Sequence, residues 1–191
     1  MGRPSVRHLI VDAGLRVFLR GGFNASSVQD ITEEAGVPKG SFYNHFASKE
    51  ALGSEIVDLY AEGGERRDAL KDGSLPPLER LRRHFDGLSQ MYAASGYAGG
   101  CLLGNFSAEL ADSSPAIRLR LAATFQRWTS EMEDAIAEAQ RIGEISEDTS
   151  PNELAAFLLD AYEGAILRAR VEKSSAPFER FSTLAFEKIL R

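Results

Sequence analysis

One short stretch of the chain gathers side chains that can hydrogen-bond to DNA. It contains Lys39, Ser41, Tyr43, Asn44 and His45 in close succession. Amides and hydroxyls of this kind read base edges in the major groove, and lysines and hydroxyls also bind phosphates. The composition of this stretch therefore predicts a contact with nucleic acid rather than a catalytic centre.

Two short helices around a tight turn are predicted to carry these side chains. Ser26 or Ser27 is a suitable N-cap for a first helix over residues 28–35, because its hydroxyl can accept a hydrogen bond from an unpaired amide of the first turn. The glycine that follows ends this helix, and Pro38 suits the start of a second helix over residues 39–46. This order of elements is the helix-turn-helix plan.

The second helix is predicted to have one apolar face. Phe42 and Phe46 are four residues apart and therefore share a face, for which Ile31 and Val37 are suitable packing partners. The polar side chains are left on the outer face. There, Gly40 allows close approach of the backbone because it has no side chain.

The run GVPKGSFYNHFASKEAL, residues 36–52, together with the helix before it, resembles the N-terminal domain of the TetR family of bacterial repressors. The resemblance implies an all-α fold, with a three-helix helix-turn-helix domain at residues 1–48 and a helical ligand-binding and dimerisation domain at residues 49–191. It also implies a set of DNA contacts: Ser27, Gln29, Lys39, Gly40, Ser41, Tyr43, Asn44, His45 and Lys49.

Within this set, the resemblance assigns Tyr43 and Lys49 to phosphate contacts. It assigns Lys39, Ser41 and Asn44 to the reading of bases. For single residues such as Tyr43, the alternative is that the side chain only covers the surface of the domain.

The chain is acidic overall but not in the part predicted to bind DNA. The 191 residues carry a net charge of −6, whereas residues 1–50 hold six Lys and Arg against five Asp and Glu. We therefore expect a local basic face from Arg3, Arg7, Lys39 and Lys49, and only modest nonspecific affinity for DNA.

Composition also indicates the compartment and the absence of cofactors. The chain has neither a run of about 18 apolar residues nor the apolar core of a signal peptide, so we expect a cytoplasmic protein that does not enter a membrane. One cysteine excludes an intrachain disulfide. Because His8, His45 and His84 lack metal-ligand spacing, we expect neither a metal site nor a cofactor.

Apolar periodicity predicts helices along the rest of the chain. A helix from Ser5 to Gly21 forms the third wall of the DNA-binding domain, and a helix from Ser48 to Gly63 connects that domain to the remainder. Residues 95–105 interrupt the helical pattern with four glycines. Further helices are predicted to begin at or near Leu78, Phe106, Pro115, Pro151 and Pro177.

The last two helices carry more apolar surface than one packing face needs. The helix after Pro151 is apolar or small on more than one side, which predicts burial against its own domain and against a second chain. In the TetR family the last two helices form a four-helix dimer bundle, so the resemblance also implies a homodimer. The interface is predicted to include Leu158, Tyr162, Ile166, Phe181 and Leu184.

The single cysteine lies in a glycine-rich run, residues 99–106, that resembles a branch of the family whose repressors respond to electrophiles and oxidants. A reactive thiol needs a nearby cation or helix N-terminus that lowers its pKa, and Lys173 is our first choice of cation. The alternative is that Cys101 is a small buried hydrophobic residue. Phe125 and Trp128 are predicted either to line an inducer pocket or to belong to the core.

The predicted function is a homodimeric repressor that binds a palindromic operator in double-stranded DNA and is released by a small-molecule or electrophile inducer. One alternative is an architectural or division-linked DNA-binding protein of the same fold, without a small-molecule inducer. Another is an enzyme built on Cys101 and His84. No third orienting group, carboxylate pair or phosphate-binding glycine motif supports it, so we predict no catalytic activity.

Overall fold

A computed structural model of the chain describes residues 5–62 and 69–191. Every regular element within these two ranges is helical, which confirms the predicted all-α fold. The helices with both ends described are α1 (Val6–Gly21), α2 (Val28–Glu34), α3 (Lys39–Tyr43), α4 (Lys49–Glu62), α5 (Pro77–Ala94), α6 (Leu102–Leu110), α7 (Pro115–Arg141), α8 (Pro151–Glu172) and α9 (Ala176–Leu184), followed by a π-helical turn (Ala185–Ile189).

The described residues form two compact units. The first unit comprises residues 5–62 and Cys101–Thr124, and therefore holds α1 to α4, α6 and the first part of α7. The second unit comprises residues 69–100 and Phe125–Arg191, with α5, the rest of α7, α8 and α9. The division into functional domains after residue 48 stays a prediction, because helices beyond that residue contribute to both units.

Helix α1 begins and ends where its sequence predicts. The hydroxyl of Ser5 accepts a hydrogen bond from the amide of His8 at 3.2 Å. At the other end, Gly22 has a φ of 81° and donates its amide to the carbonyl of Phe18. The buried face between these ends packs against α2, α3 and α4, so that α1 forms one wall of the helix-turn-helix domain.

Three phenylalanines join α1, the loop that follows it and α6. The ring centroids of Phe18, Phe23 and Phe106 are 5.2 to 5.5 Å apart, a spacing at which aromatic rings attract one another. All three side chains are buried. Helix α6 is therefore part of the unit that carries the helix-turn-helix.

An aromatic cluster lies in the core of the second unit. The ring of Phe85 has its centroid 4.9 Å from that of Tyr162 and 4.8 Å from that of Phe181. Burial raises the pKa of the Tyr162 phenol, whose hydroxyl lies 2.9 Å from the hydroxyl of Ser89. Helices α5, α8 and α9 are joined by this cluster.

The second helix of the helix-turn-helix is shorter than predicted. Helix α3 ends at Tyr43, whereas the apolar spacing predicted an end at Phe46. The amides of His45 and Phe46 both bond to the carbonyl of Phe42, at 3.0 and 2.9 Å, so the last turn tightens while Phe46 still reaches the core.

Two other helix ends also differ from prediction. Helix α6 begins at Leu102 instead of Phe106, because the run of positive φ angles ends at Gly100 and the helix tolerates Gly104. Near the C-terminus, a π-helical turn replaces the end of the last helix, where the amide of Leu190 bonds to the carbonyl of Ala185. The predicted arm with Arg3 and the predicted helix end at Gly63 lie outside the described residues.

Candidate DNA interface

A capping box fixes the start of α2. The hydroxyl of Ser27 accepts from the amide of Asp30 at 3.1 Å, and the Asp30 carboxylate accepts from the amide of Ser27 at 2.7 Å. Hydrogen bonds from the hydroxyl and the amide of Ser27 hold the pKa of Asp30 below its ordinary value. The hydroxyl of Ser27, which was predicted to contact DNA, thus serves the helix cap in the free protein.

The inner face of α3 is anchored as its spacing predicts. Phe42 is fully buried and Phe46 is 4% exposed. The guanidinium of Arg7, from α1, lies 5.1 Å from the ring centre of Phe46. The ring of Tyr43 packs edge-on against that of Phe42, with centroids 5.3 Å apart. The buried Phe42 therefore supports the exposed side chain of Tyr43.

The outer face of α3 is open. Tyr43 is 58% exposed, Lys39, Asn44 and His45 are exposed, and Ser41 is partly buried. These five side chains are the donors and acceptors that the sequence assigned to DNA, and the structure brings them together on one short helix and the turn after it.

Two further predicted contacts adjoin this face. A side chain added at Gly40 would meet no atom within 4 Å, so the backbone there is accessible. Gln29 is exposed on α2 and donates to the carboxylate of Glu33 at 2.8 Å. A contact between Gln29 and DNA therefore has to compete with this hydrogen bond.

Lys49, predicted to bind phosphate, is engaged inside its own unit. Its ammonium donates to the carbonyls of Phe23 at 2.8 Å and Ser26 at 2.5 Å, and lies 4.3 Å from the ring centre of Phe23. Burial lowers the pKa of Lys49, against the opposing effect of the carboxylates of Glu109 and Asp30. Since an ammonium has three N–H groups, one of them lies outside these two bonds.

Three arginines of α1 are paired with carboxylates. Arg7 lies 2.5 Å from Glu55, and Arg16 and Arg20 both bond to Glu34, at 2.9 and 3.2 Å. Exposed pairs of this kind contribute little stability, but they reduce the positive field that DNA meets. The pairing agrees with the expected weak nonspecific affinity.

Glu109 is a site residue that sequence reasoning missed. From α6, its carboxylate accepts the amides of Phe23 at 3.1 Å and Asn24 at 2.7 Å. More than eighty residues separate the partners, so no local pattern indicated the contact. The one available signal was the end of α1 at the glycine pair, because the amides of the loop that follows need an acceptor outside regular structure.

Cys101 is the N-cap residue of α6 and is 4% exposed. Burial is what the core alternative predicted, whereas a helix N-terminus is one of the environments that lower the pKa of a thiol. Its role therefore stays a prediction. The residues before it have an unusual backbone, with positive φ at Gly96, Tyr97, Gly99 and Gly100.

The other residues predicted to serve the inducer belong to the second unit. Lys173 follows α8 in the left-handed region, with a φ of 50°, and donates to the carbonyl of Tyr97 at 3.2 Å. Phe125 and Trp128 are partly buried, with ring centroids 6.1 Å apart in an edge-to-face arrangement. Their part in an inducer pocket stays a prediction.

The residues predicted for the dimer interface fall into two groups. Leu158 and Tyr162 are 0 and 2% exposed and face the core of their own unit, so their side chains are not available to a second chain. The prediction took the core stripe of α8 for its outer stripe. Ile166 and Phe181 lie at the edge of the core, and Leu184 is 49% exposed.

An apolar groove lies on the outer surface of α8 and α9. It has a volume of about 250 Å³ and is lined by residues of both helices and of the π-helical turn. Its members include Phe157, Ala161, Gly164, Phe181 and Leu184.

The described residues, 5–62 and 69–191, offer neither a metal site nor a membrane span. No group of three or more His, Cys, Asp or Glu in these ranges could hold a metal ion. Among the helices of the same ranges, none is both long and apolar enough to cross a bilayer.

Two family profiles match the chain. The profile described as "Bacterial regulatory proteins, tetR family" matches residues 10–56, and "Tetracyclin repressor-like, C-terminal domain" matches residues 77–185. Together they cover the helix-turn-helix and most of the following helices.

Similar proteins agree with the profiles. The HTH-type transcriptional repressor DhaR of Mycobacterium sp. (strain GP1) is 41% identical over 192 residues, which cover 100% of this chain and 95% of DhaR. The regulatory protein TetR from Rhodobacter sphaeroides has a crystal structure that matches with a TM-score of 0.90 and 33% identity, over 96% of this chain and 98% of that one. The reduced form of E. coli NemR matches with a TM-score of 0.88 and 25% identity, over 97% of both chains. The chain therefore belongs to the TetR family of transcriptional repressors, and it is a DNA-binding regulator and not an enzyme.

Proposed function

We propose that this repressor is a homodimer that binds a palindromic operator through the outer face of α3 and is released by an inducer. The observation that carries the proposal is the open polar face of α3, opposite its buried phenylalanines. A helix presented in this way fits the major groove of B-DNA. Since the family binds DNA and the relatives are bacterial, we assign the protein to the cytoplasm.

We propose separate roles for the side chains of this face. Lys39, Ser41 and Asn44 read bases, because amines, hydroxyls and amides pair with base edges. Tyr43 binds a phosphate through its hydroxyl, and its ring is held by Phe42.

The roles are tested by two substitutions. Asn44→Ala should relax the preference at one base pair by about 1–3 kcal/mol, whereas Tyr43→Phe should weaken binding to all sequences alike. The measurement is competition between a duplex selected by the wild type from a random pool and variants of it with single base changes. Docking through α3 would be refuted if neither substitution altered affinity.

A second copy of this chain is the occupant that we propose for the groove on α8 and α9. Phe157, Gly164 and Val171 follow one another at intervals of seven residues on α8, with Phe157 47% and Val171 75% exposed. This interval is that of a helix–helix seam. A glycine inside a helix costs about 0.5–1 kcal/mol relative to alanine, and close approach of a second helix at Gly164 would account for its presence.

The dimer is tested by charge insertion at the seam. Phe157→Glu should give a monomer, since dimerisation would bury an unpaired carboxylate. Leu119→Glu is the matched control, because Leu119 is 61% exposed in the first unit. Sedimentation equilibrium at micromolar concentration measures both variants. A monomeric wild type, or a dimeric Phe157→Glu, would exclude the groove as the interface.

A two-fold symmetric dimer implies a two-fold symmetric operator. The two α3 helices of such a dimer should contact half-sites about 10–10.5 bp apart, or a multiple of that distance. Footprinting on the selected duplex measures this spacing, and protection of one isolated half-site would contradict it.

We propose that the inducer is an electrophile that adds to the sulfur of Cys101. The position of Cys101 at the N-terminus of α6 supports thiolate formation, because the helix dipole favours negative charge there. In the reaction the thiolate sulfur forms a bond to a ring carbon of, for example, a quinone, and the C=C π bond at that carbon breaks. Its electron pair moves to the conjugated carbonyl oxygen, which takes up a proton from water, and transfer of the ring proton to the second carbonyl oxygen leaves a hydroquinone thioether on Cys101. One similar crystal structure is that of NemR in its reduced form, so the reduced state is distinguished from other oxidation states in that relative.

The inducer role is tested by titrating operator binding with a benzoquinone. Wild type should be released and Cys101→Ser should stay bound; Lys173→Ala should need more quinone if that lysine helps to ionise the thiol. Equal release of wild type and Cys101→Ser would mean that Cys101 is a buried core residue with no role in sensing. It would leave a noncovalent ligand near Phe125 and Trp128, or a regulator without an inducer, as the alternatives.

A further inference from the structure

The loop between α1 and α2, residues 22–27, is held from two sides within the first unit. Helix α6 holds its amides through Glu109, and helix α4 holds its carbonyls through Lys49. We call this segment the α1–α2 loop. Two of its amides, those of Phe23 and Asn24, and two of its carbonyls, those of Phe23 and Ser26, are thus bound by side chains that are distant in sequence.

The Glu109 carboxylate fits the loop closely. One carboxylate oxygen accepts the amide of Phe23 at 3.1 Å and the other accepts the amide of Asn24 at 2.7 Å. Gly22, with a φ of 81°, passes so near that an added Cβ would overlap this carboxylate. The loop backbone is therefore shaped around a charged acceptor, and charge-assisted hydrogen bonds of this kind are the stronger class.

The same helix also holds the loop by packing. Phe106 lies three residues before Glu109, so both side chains project from one side of α6. The ring of Phe106 is 5.5 Å from that of Phe23, in an edge-to-face contact. A displacement of α6 must therefore either carry the loop with it or break both amide bonds.

The loop leads directly into α2 and α3, the two helices of the helix-turn-helix. Its last residue is Ser27, whose capping box with Asp30 starts α2, and α2 packs on α3. Lys49 fixes the carbonyls of the same loop from the first residue of α4. The two charged side chains that hold the loop therefore add to the direct packing of α1 against α2 in fixing where α2 begins.

We propose that Glu109 is a positioning residue for operator binding: its carboxylate holds the α1–α2 loop, and with it α2 and α3, in the geometry that fits DNA. Release of this grip by displacement of α6 lowers operator affinity. The first statement rests on DNA binding alone, and the second rests on the proposed function, in which α6 begins at the inducer-responsive Cys101.

The test is Glu109→Gln, which keeps the shape of the side chain but offers one acceptor oxygen for two amides. The dissociation constant for a duplex selected by the wild type should rise roughly 5- to 30-fold. Loss of a negative charge would by itself lower the dissociation constant, because it lessens the repulsion of DNA. The matched control is Asp112→Asn, which removes an exposed charge just beyond α6 and should leave affinity unchanged or slightly higher.

Amide hydrogen exchange in the full-length protein tests, without DNA, whether the Glu109 carboxylate holds the α1–α2 loop. The amides of Phe23 and Asn24 should exchange slowly in the wild type and faster in Glu109→Gln, while amides in α4 keep their rates. Binding by Glu109→Gln as tight as by Asp112→Asn, or faster exchange throughout the first unit, would overturn the proposal. If the wild type selected no duplex from the random pool, the proposed docking would be wrong. The exchange rates of the Phe23 and Asn24 amides would still test whether Glu109 holds the loop.

Discussion

Replacement of Lys49 by methionine would separate two roles of this side chain, one in DNA binding and one in the fold. The substitution keeps most of the aliphatic stem and removes the ammonium that donates to Phe23 and Ser26. A hydrogen bond from a charged donor contributes about 1.5–3 kcal/mol. The lowered pKa of Lys49 shows that desolvation of its charge offsets part of the gain from two such bonds.

We therefore expect Lys49→Met to lower the free energy of unfolding by about 2 kcal/mol. For a chain of this length, each kcal/mol shifts the melting temperature by about 2–4 °C, so the loss should be about 4–8 °C. Differential scanning calorimetry measures it. Lys39→Met is the matched control, since Lys39 is exposed on α3 and its loss should leave the melting temperature unchanged.

The salt dependence of operator binding completes the experiment. Each lost phosphate contact should reduce the slope of log K against log salt concentration by about 0.9. If Lys49 acts through the α1–α2 loop, Lys49→Met should weaken binding at an unchanged slope. A reduced slope with an unchanged melting temperature would refute this reasoning and restore Lys49 as a phosphate contact.

Two other predictions follow from local geometry. Ser27 holds the pKa of Asp30 low, so the stability from this capping box is fully present above the unfolded pKa of about 3.9 and is lost as pH falls through the lower folded value. The difference in melting temperature between wild type and Asp30→Asn should therefore shrink as pH falls in the acid range. Gly14→Ala should destabilise by about 1–3 kcal/mol, because the new Cβ would lie 2.8 Å from Ile56. Gly87→Ala, in open space within α5, should stabilise by about 0.5–1 kcal/mol, and urea unfolding compares the two variants.

The helix-turn-helix was predictable because its determinants are local. Ser27 caps α2, Pro38 precedes α3, and Phe42 and Phe46 face the core, all within one short stretch of sequence. The end of α3 was not predictable, since the tightened turn after Tyr43 keeps Phe46 in the core just as a longer helix would. Periodicity detects the buried face of an element, but it does not distinguish these two backbones.

Contacts that join distant parts of the chain could not be predicted. In the sequence, Glu109 is a charged residue near the end of a short helix and Lys49 is a lysine of the recognition motif. Only the packing of α6 and α4 against the α1–α2 loop turns both inward. The dimer prediction failed at Leu158 and Tyr162 for a related reason. Helix α8 has two apolar stripes, and the sequence does not say which one faces the core of its own unit.

The charge distribution bears on the weight that we expect loop geometry to have in operator binding. Phosphate attraction is the same for all DNA sequences, and here it is weak, because the chain carries a net charge of −6 and Arg7, Arg16 and Arg20 are paired with carboxylates. We therefore expect operator binding to depend on the base contacts that we propose for the outer face of α3. Base contacts need closer placement than phosphate attraction does, since hydrogen bonds weaken steeply with distance and angle. We therefore expect a small displacement of the α1–α2 loop to remove a large share of the operator affinity, which is the sensitivity that the proposed release by an inducer requires.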